Sequence, residues 1–406
     1  MRLRGPLARP LGALAEFLRT EAAGGAVLLA ATVAALVWAN GPWQETYESF
    51  WTNELTLGIG DLAITETLRH WVNDGLMTFF FLVVGLEIKR ELVLGELRDP
   101  RTAAVPVVAA VGGMVVPALI YLALNAGGAG VDGWGIPVAT DIAFAVGVLV
   151  LLGDRIPSGL KLMLLTLAIV DDIGAILVIA VFYSEDLAPA WLLGAAAAIA
   201  AVLALRALRV NVTPAYVLPG ALLWLSLFEA GIHPTLAGVV LGLLTPTGEF
   251  HGRPVIETLE HRLHPFASFV AVPLFALAGA GVVLSSEAFR AAADSPVSWG
   301  VALGLVLGKF TGVTAAVAIT VRSGLGRAAT GVTARHVLGL GLLAGIGFTV
   351  SLFVAELAFE GAPRLLQEAK LAILLASAVA GGLGALTLLA ANRAAPTLAA
   401  EEPARP

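Results

Sequence analysis

The sequence predicts an all-α polytopic membrane protein of about twelve transmembrane helices, with an inverted-topology repeat and a small external β-hairpin. Three observations carry this. The 406 residues are 58% hydrophobic and only 13% charged, with a mean hydropathy of +0.89; a soluble chain carries about twice that charge. Charge-poor stretches recur from end to end, many near the roughly 20 residues that a spanning helix needs. Between them, basic residues fall on alternate loops.

In chain order the predicted spans lie near 22–43, 70–88, 103–126, 134–153, 162–183, 188–205, 211–228, 231–247, 265–284, 298–321, 337–359 and 371–391. Residues 1–21 are expected to be a basic cytoplasmic N-terminus, 22–391 a single transmembrane domain, and 392–406 a cytoplasmic tail. The run after the N-terminus lacks a small-x-small cleavage site, so it reads as a first span rather than a signal peptide. Of 24 Lys and Arg residues, 19 fall on one side of this topology. By the positive-inside rule that side is cytoplasmic, with both termini on it. The acidic segment 44–69 is too polar to span. Its LTLGIGDLAIT core reads as two short external strands around a Gly turn, and a two-stranded ribbon needs a partner, which points to a dimer contact.

Spans 3–5 and 10–12 enter the membrane from opposite sides, the topology of an inverted repeat. Their middle members carry helix breakers: Pro137 before Thr140 and Asp141 in span 4, and Gly339, Gly341, Gly345 and Gly347 in span 11. Two discontinuous, crossing helices are expected there. Facing half-helix termini would carry about half a unit charge each. Asp141 would offset the positive pair and Lys309 the negative pair.

Asp171 and Asp172 are the only charges in the 22 residues from Leu162 to Tyr183. An acid at the centre of a span costs roughly 2.5–3.5 kcal/mol on insertion scales, so two in succession need water, a cation or a buried base. Neighbouring side chains on a helix diverge by about 100°. One of the pair can face a cavity while the other meets Lys309, the sole charge from Ser295 to Val321. Burial makes a charged carboxylate costly, so a proton competes with sodium for such an oxygen ligand. If the site opens to each side in turn, that competition couples two opposed fluxes. Asp74 stands near the start of span 2.

At these residues the chain resembles the NhaA-type sodium/proton antiporters, from about Glu16 to Asn392. The shared motifs are VATDIAFAVGVLVLLGDRIP, LAIVDDIGAILVIAVFY, GLEIKREL, HPTLAGV, LEHRLHP, LGKFTGV and GIGFTVSLF. This family is itself one of the known cases of an inverted repeat with broken helices, so that part of the expectation is not independent of the resemblance. The resemblance implies an electrogenic, pH-regulated Na⁺(Li⁺)/H⁺ antiporter that exports sodium by alternating access. It implies Asp172 as the shared sodium and proton ligand, Asp171 as its neighbour held by Lys309, and Thr140 beside them. It implies a pH-sensing cytoplasmic funnel of Asp74, Glu87, Arg90, Glu91, His233, Glu260, His261, His264 and Gly347. It places the protein in the bacterial inner membrane as a homodimer joined through 44–69. Two positions depart from the family: Gly279, where Asn is usual, and Glu356, where a small residue is usual.

The expected partners are lipid and small cations, without nucleic acid, since the net charge is −6. No cofactor is expected; Na⁺ (Li⁺) and H⁺ are cargo. The chain is expected to be no enzyme. With no cysteine, thiol catalysis and Cys-ligated zinc are excluded. A GxGD pattern ending at Asp61 lies in the polar external segment and lacks the second motif of an intramembrane protease. The Gly-rich 339–344 stretch lacks the βαβ context of a dinucleotide site. A proton- or sodium-coupled symporter of another solute is the alternative.

Overall fold

The computed structural model describes residues 8–58, 63–184, 187–210, 214–250, 253–326 and 331–393. Most of them are helical. Among the described residues, eight helices are long and apolar enough to cross a membrane: Thr20–Asn40, Pro100–Asn125, Val131–Leu151, Ser158–Phe182, Pro189–Ala207, Val255–Gly279, Pro296–Arg322 and Pro363–Ala391. The pair Ala334–Leu343 and Phe348–Ala358, bent by 42° at its break, makes a ninth. The protein is therefore a multi-pass membrane protein. Helix Met77–Val93, helix Pro214–Glu229 and the nine-residue helix Leu236–Leu244 pack among them.

Burial separates the helices that hold the centre from those that face lipid. The most apolar 18-residue window of Ser158–Phe182 is 61% buried, whereas that of Pro189–Ala207 is 17% buried. The helix carrying Asp171 and Asp172 is thus the central one. Large exposed apolar side chains such as Leu193, Val217 and Leu218 stand on the periphery, as expected where lipid tails replace water.

Small residues bring backbones together at two central contacts. Helix Pro100–Asn125 crosses Lys309–Arg322 where Gly112 meets Gly312; a Cβ on Gly312 would lie 2.1 Å from the Gly112 carbonyl oxygen. Helix Leu236–Leu244 meets Met77–Val93 where a Cβ on Gly238 would lie 2.2 Å from the Thr78 carbonyl oxygen. Tight packing of this kind replaces the hydrophobic drive that lipid removes.

Several boundaries differ from the sequence expectation. Span 9, expected at 265–284, is helical from Val255 to Gly279. The stretch VIETLEHRLHPF is amphipathic, and its Glu260 and His264 turn inward, so charge there marks a buried face and not a loop. The segment 44–69 is not all ribbon, because Gln44–Trp51 is a helix that buries Tyr47 and Trp51. Beyond it, strands Glu54–Leu57 and Ile64–Thr67 pair antiparallel, with Leu55 opposite Glu66. Asp61 lies outside the described residues. A second, shorter strand pair joins Glu249–Phe250 to Arg253–Pro254. Helices also run on through three π turns, Trp71–Leu76, Ala267–Ala271 and Gly304–Gly308.

Candidate functional site

Two helices break at the same place, and the breaks meet. The first runs as a 3₁₀ segment, Val131–Val138, then extends through Ala139–Asp141 and resumes as Ile142–Leu151. Pro137 cannot donate an N–H and restricts the residue before it, which favours the interruption. The second breaks at 344–347, between Leu343 and Phe348. Backbone freed at one break bonds to the other: Asp141 N–H donates to the Ile346 carbonyl at 2.6 Å, and the Thr140 hydroxyl to the Ala344 carbonyl at 2.8 Å. The Ser351 hydroxyl donates to the Ile136 carbonyl at 2.7 Å.

Asp141, 1% exposed, caps two helix N-termini at once. Its Oδ1 accepts from Phe144 N–H at 3.0 Å. Its Oδ2 accepts from Thr349 N–H at 3.0 Å and the Thr349 hydroxyl at 2.6 Å. An anion is stabilised there by both macrodipoles. Lys309 reaches this crossing through Asp171: its buried ammonium donates to Asp171 Oδ2 at 2.6 Å, and the Thr140 hydroxyl lies between that carboxylate and the Ala344 carbonyl.

Asp171 is fully buried, and its Oδ2 also accepts from the Thr140 hydroxyl at 2.6 Å. Gly113 adjoins the lysine chain, and a Cβ there would stand 2.8 Å from Val313 Cγ2. Asp172 points elsewhere. It lines a pocket together with Asp141, Thr349, Glu87, His264 and Glu21. Asp171 Oδ1 and Asp172 Oδ1 meet no hydrogen-bond donor among the described residues. Hard carboxylate oxygens with spare acceptor capacity beside a Thr hydroxyl suit a small monovalent cation or a proton.

The far end of the pocket is polar. Arg90 bonds Glu260, and it lies 3.8 Å from Glu91. The Glu91 carboxylate accepts from Glu96 N–H at 3.1 Å. His264 bonds Glu21 at 2.5 Å. The structure thus brings Glu87, Arg90, Glu91, Glu260 and His264 together and adds Glu21, which sequence reasoning missed. The missed signal was an acid directly before the first apolar run, on a helix that begins upstream at Ala8.

Four residues expected in this funnel lie elsewhere. Asp74 sits 13 residues before Glu87 on the same continuous helix, roughly 20 Å away at 1.5 Å per residue, and outside the pocket. There its carboxylate is 3.7 Å from His233. His233 also packs on Phe353, with ring centroids 5.1 Å apart. The two therefore lie away from the Glu87 cluster, because spacing along a helix fixes depth. His261 is exposed on its helix, one helical step from the buried Glu260. Gly347 is at the break, where a Cβ would meet Ser351 Oγ at 2.2 Å.

With this geometry in view, the comparisons with known proteins are specific. Residues 15–388 match the family model described as Na⁺/H⁺ antiporter 1. The chain is 45% identical to a protein of Frankia alni named Na(+)/H(+) antiporter NhaA 3, over 96% of this chain and 90% of that one. It is 44% identical to Na(+)/H(+) antiporter NhaA of Oleidesulfovibrio alaskensis, over 93% of each chain. It is 46% identical to Na(+)/H(+) antiporter NhaA 2 of Pseudomonas syringae, over 93% and 95%.

Proposed function

The chain belongs to the Na⁺/H⁺ antiporter 1 family, and from that premise we propose that it is a secondary transporter exchanging Na⁺ for H⁺ at Asp172. The observation that carries the site is the asymmetry of the aspartate pair: Asp171 is held by Lys309 and Thr140, whereas Asp172 faces the pocket. One carboxylate is thus available to cargo from the pocket side. A proton or a sodium ion takes it, never both, and the pocket opens to one face at a time. Sodium arriving at Asp172 draws on Asp171 as well and weakens its hold on Lys309. Li⁺ fits the same hard oxygen ligands. Exchange of more than one proton per sodium makes the cycle electrogenic, since two carboxylates and a lysine share the site.

The polar end of the pocket faces the cytoplasm in this reading, with both termini, in the bacterial inner membrane. Twelve spans follow if helix Leu68–Val93 and the shorter Pro214–Glu229 and Leu236–Leu244 also cross, and spans 3–5 then relate to 10–12 as an inverted repeat. Glu87, Arg90, Glu91, Glu260 and His264, with Glu21, set the pH response by changing charge at the mouth. The exposed strands 54–57 and 64–67 supply a surface for a second copy.

The test is sodium-triggered pH change in proteoliposomes, with and without a clamped potential, for wild type and Asp172→Asn. The variant is expected to lose exchange. Exchange at the normal rate would overturn the assignment of Asp172.

A further inference from the structure

Beyond the pocket, two helices continue side by side toward the opposite face. On Val272–Gly279, Val272 lines the pocket, Phe275 follows one turn on and Gly279 one turn further. On Phe348–Ala358, Thr349 bonds Asp141, and Phe353 and Glu356 follow at i+4 and i+7 on the same face. Phe353, fully buried, packs on Phe275, Phe81 and His233 at 6.1, 5.2 and 5.1 Å between ring centroids. These rings lie along the helix between Thr349, which lines the pocket, and Glu356. Glu356 stands just past them, roughly 10 Å along the helix from Thr349.

The two positions that depart from the family adjoin here. A Cβ on Gly279 would lie 3.8 Å from Glu356 Oε1, so Gly279 leaves the carboxylate room that a longer side chain would fill. Lys370, 3% exposed, brings its ammonium to 2.5 Å from Glu356 Oε1. The contact is charge against charge without aligned hydrogen-bond geometry, and Oε1 gains no hydrogen bond among the described residues. Glu356 is in the last turn of its helix, beside the last residue of Val272–Gly279. Glu356 and the C-terminus of its own helix, about −0.5, therefore share Lys370, while the carbonyls ending Val272–Gly279 take the Tyr47 hydroxyl. That surplus of negative charge is repulsive for an acid and attractive for a cation. The arrangement repeats the logic of the inner site, where Lys309 holds Asp171.

We propose that Glu356 is a second cation ligand, at the outer end of the sodium path, from which Lys370 is displaced when a monovalent cation passes the Phe353 ring cluster. This rests on the antiport reading above. In the outward-open state Glu356 receives Na⁺ leaving Asp172, and it competes for external Na⁺ in the reverse direction. It acts on one face only.

The experiment measures the apparent KM for Na⁺ at each face separately, in right-side-out and inverted vesicles. Glu356→Gln is expected to raise the outer-face KM by about tenfold, the change equivalent to about 1.4 kcal/mol of binding, and to leave the inner-face KM within about twofold. Lys370→Met keeps the carboxylate and removes its competitor, so it is expected to lower the outer-face KM. Thermal midpoints in detergent are measured for both, with Glu356→Asp and the double variant Glu356→Gln/Lys370→Met as versions that ease the charge imbalance. A purely structural ion pair would lower stability and move both faces alike, and either equal shifts at the two faces or shifts of the same sign in the two single variants would overturn the proposal. Wild-type vesicles lacking Na⁺-driven proton movement, by contrast, would overturn the antiport reading itself.

Discussion

Removing Lys309 should be far more damaging than removing the whole ion pair to which it belongs. Lys309 and Asp171 are both fully buried, 2.6 Å apart. In Lys309→Met the carboxylate keeps one neutral donor, the Thr140 hydroxyl, and its charge is left uncompensated. Breaking such a pair from one side costs about 3–5 kcal/mol, whereas replacing both members by neutral groups of like size is close to neutral. In Asp171→Asn/Lys309→Met the amide oxygen still accepts from Thr140 and the methionine fills the channel beside Gly113. The double variant is therefore expected to recover most of the loss. The assay is a double-mutant cycle on thermal or denaturant unfolding in detergent, followed by tryptophan fluorescence. A coupling of at least about 2 kcal/mol is expected from the difference between those two costs. A double variant no more stable than Lys309→Met, or a Lys309→Met protein as stable as wild type, would refute the argument that this pair is held by mutual charge compensation.

Two further predictions come from the caps and contacts around it. Asp141→Asn keeps the shape but removes the charge from two helix N-termini, and turns an N–H donor toward the Thr349 N–H. With about 0.3–1 kcal/mol per macrodipole contact and about 1–3 kcal/mol for an unsatisfied buried group, it should destabilise by roughly 2–5 kcal/mol, measured by the same unfolding assay; an unchanged midpoint would count against the double cap. Tyr47, on helix Gln44–Trp51, shares its hydroxyl proton between the Leu277 and Ala278 carbonyls at 2.9 and 2.8 Å and accepts from Gly281 N–H at 3.1 Å. Burial pushes its phenol up from 10.0 to about 12. The raised value means the folded state favours the neutral phenol, so its contribution is complete below pH 10 and fades as the pH rises toward 12. Tyr47→Phe should cost about 1–2 kcal/mol at neutral pH and lack that alkaline component; parallel midpoint-versus-pH curves for the two proteins between pH 9 and 12 would rule this out.

The membrane class, the central aspartates and the broken helices were legible because each leaves a local mark. A charge inside an apolar run is costly wherever it occurs, and Pro137 and the glycines of 339–347 interrupt helices by their own chemistry. Family membership was equally visible, since the motifs are contiguous. What stayed hidden depends on which helices adjoin. Nothing near Glu21 in sequence announces His264, 243 positions away. Charges in LEHRLHP read as loop because an amphipathic helix facing a polar cavity carries the same composition as a solvated one. Motif similarity groups Asp74 with Glu87 because it gives no depth, whereas the rise along the helix separates them.

By itself, then, the sequence determined that this chain crosses a membrane many times and bears an aspartate pair that needs a cation, a proton or a base. It also placed the chain among the sodium/proton antiporters. Only the tertiary structure decided how the charges are shared: Lys309 on Asp171, Asp141 between two N-termini, Asp172 open to the pocket, and Glu356 beside Gly279 and Lys370. The reason is physical. The energy of burying a charge depends on composition, which the sequence carries. The partner that offsets it depends on contacts between helices far apart in the chain, and those exist only once the helices have packed.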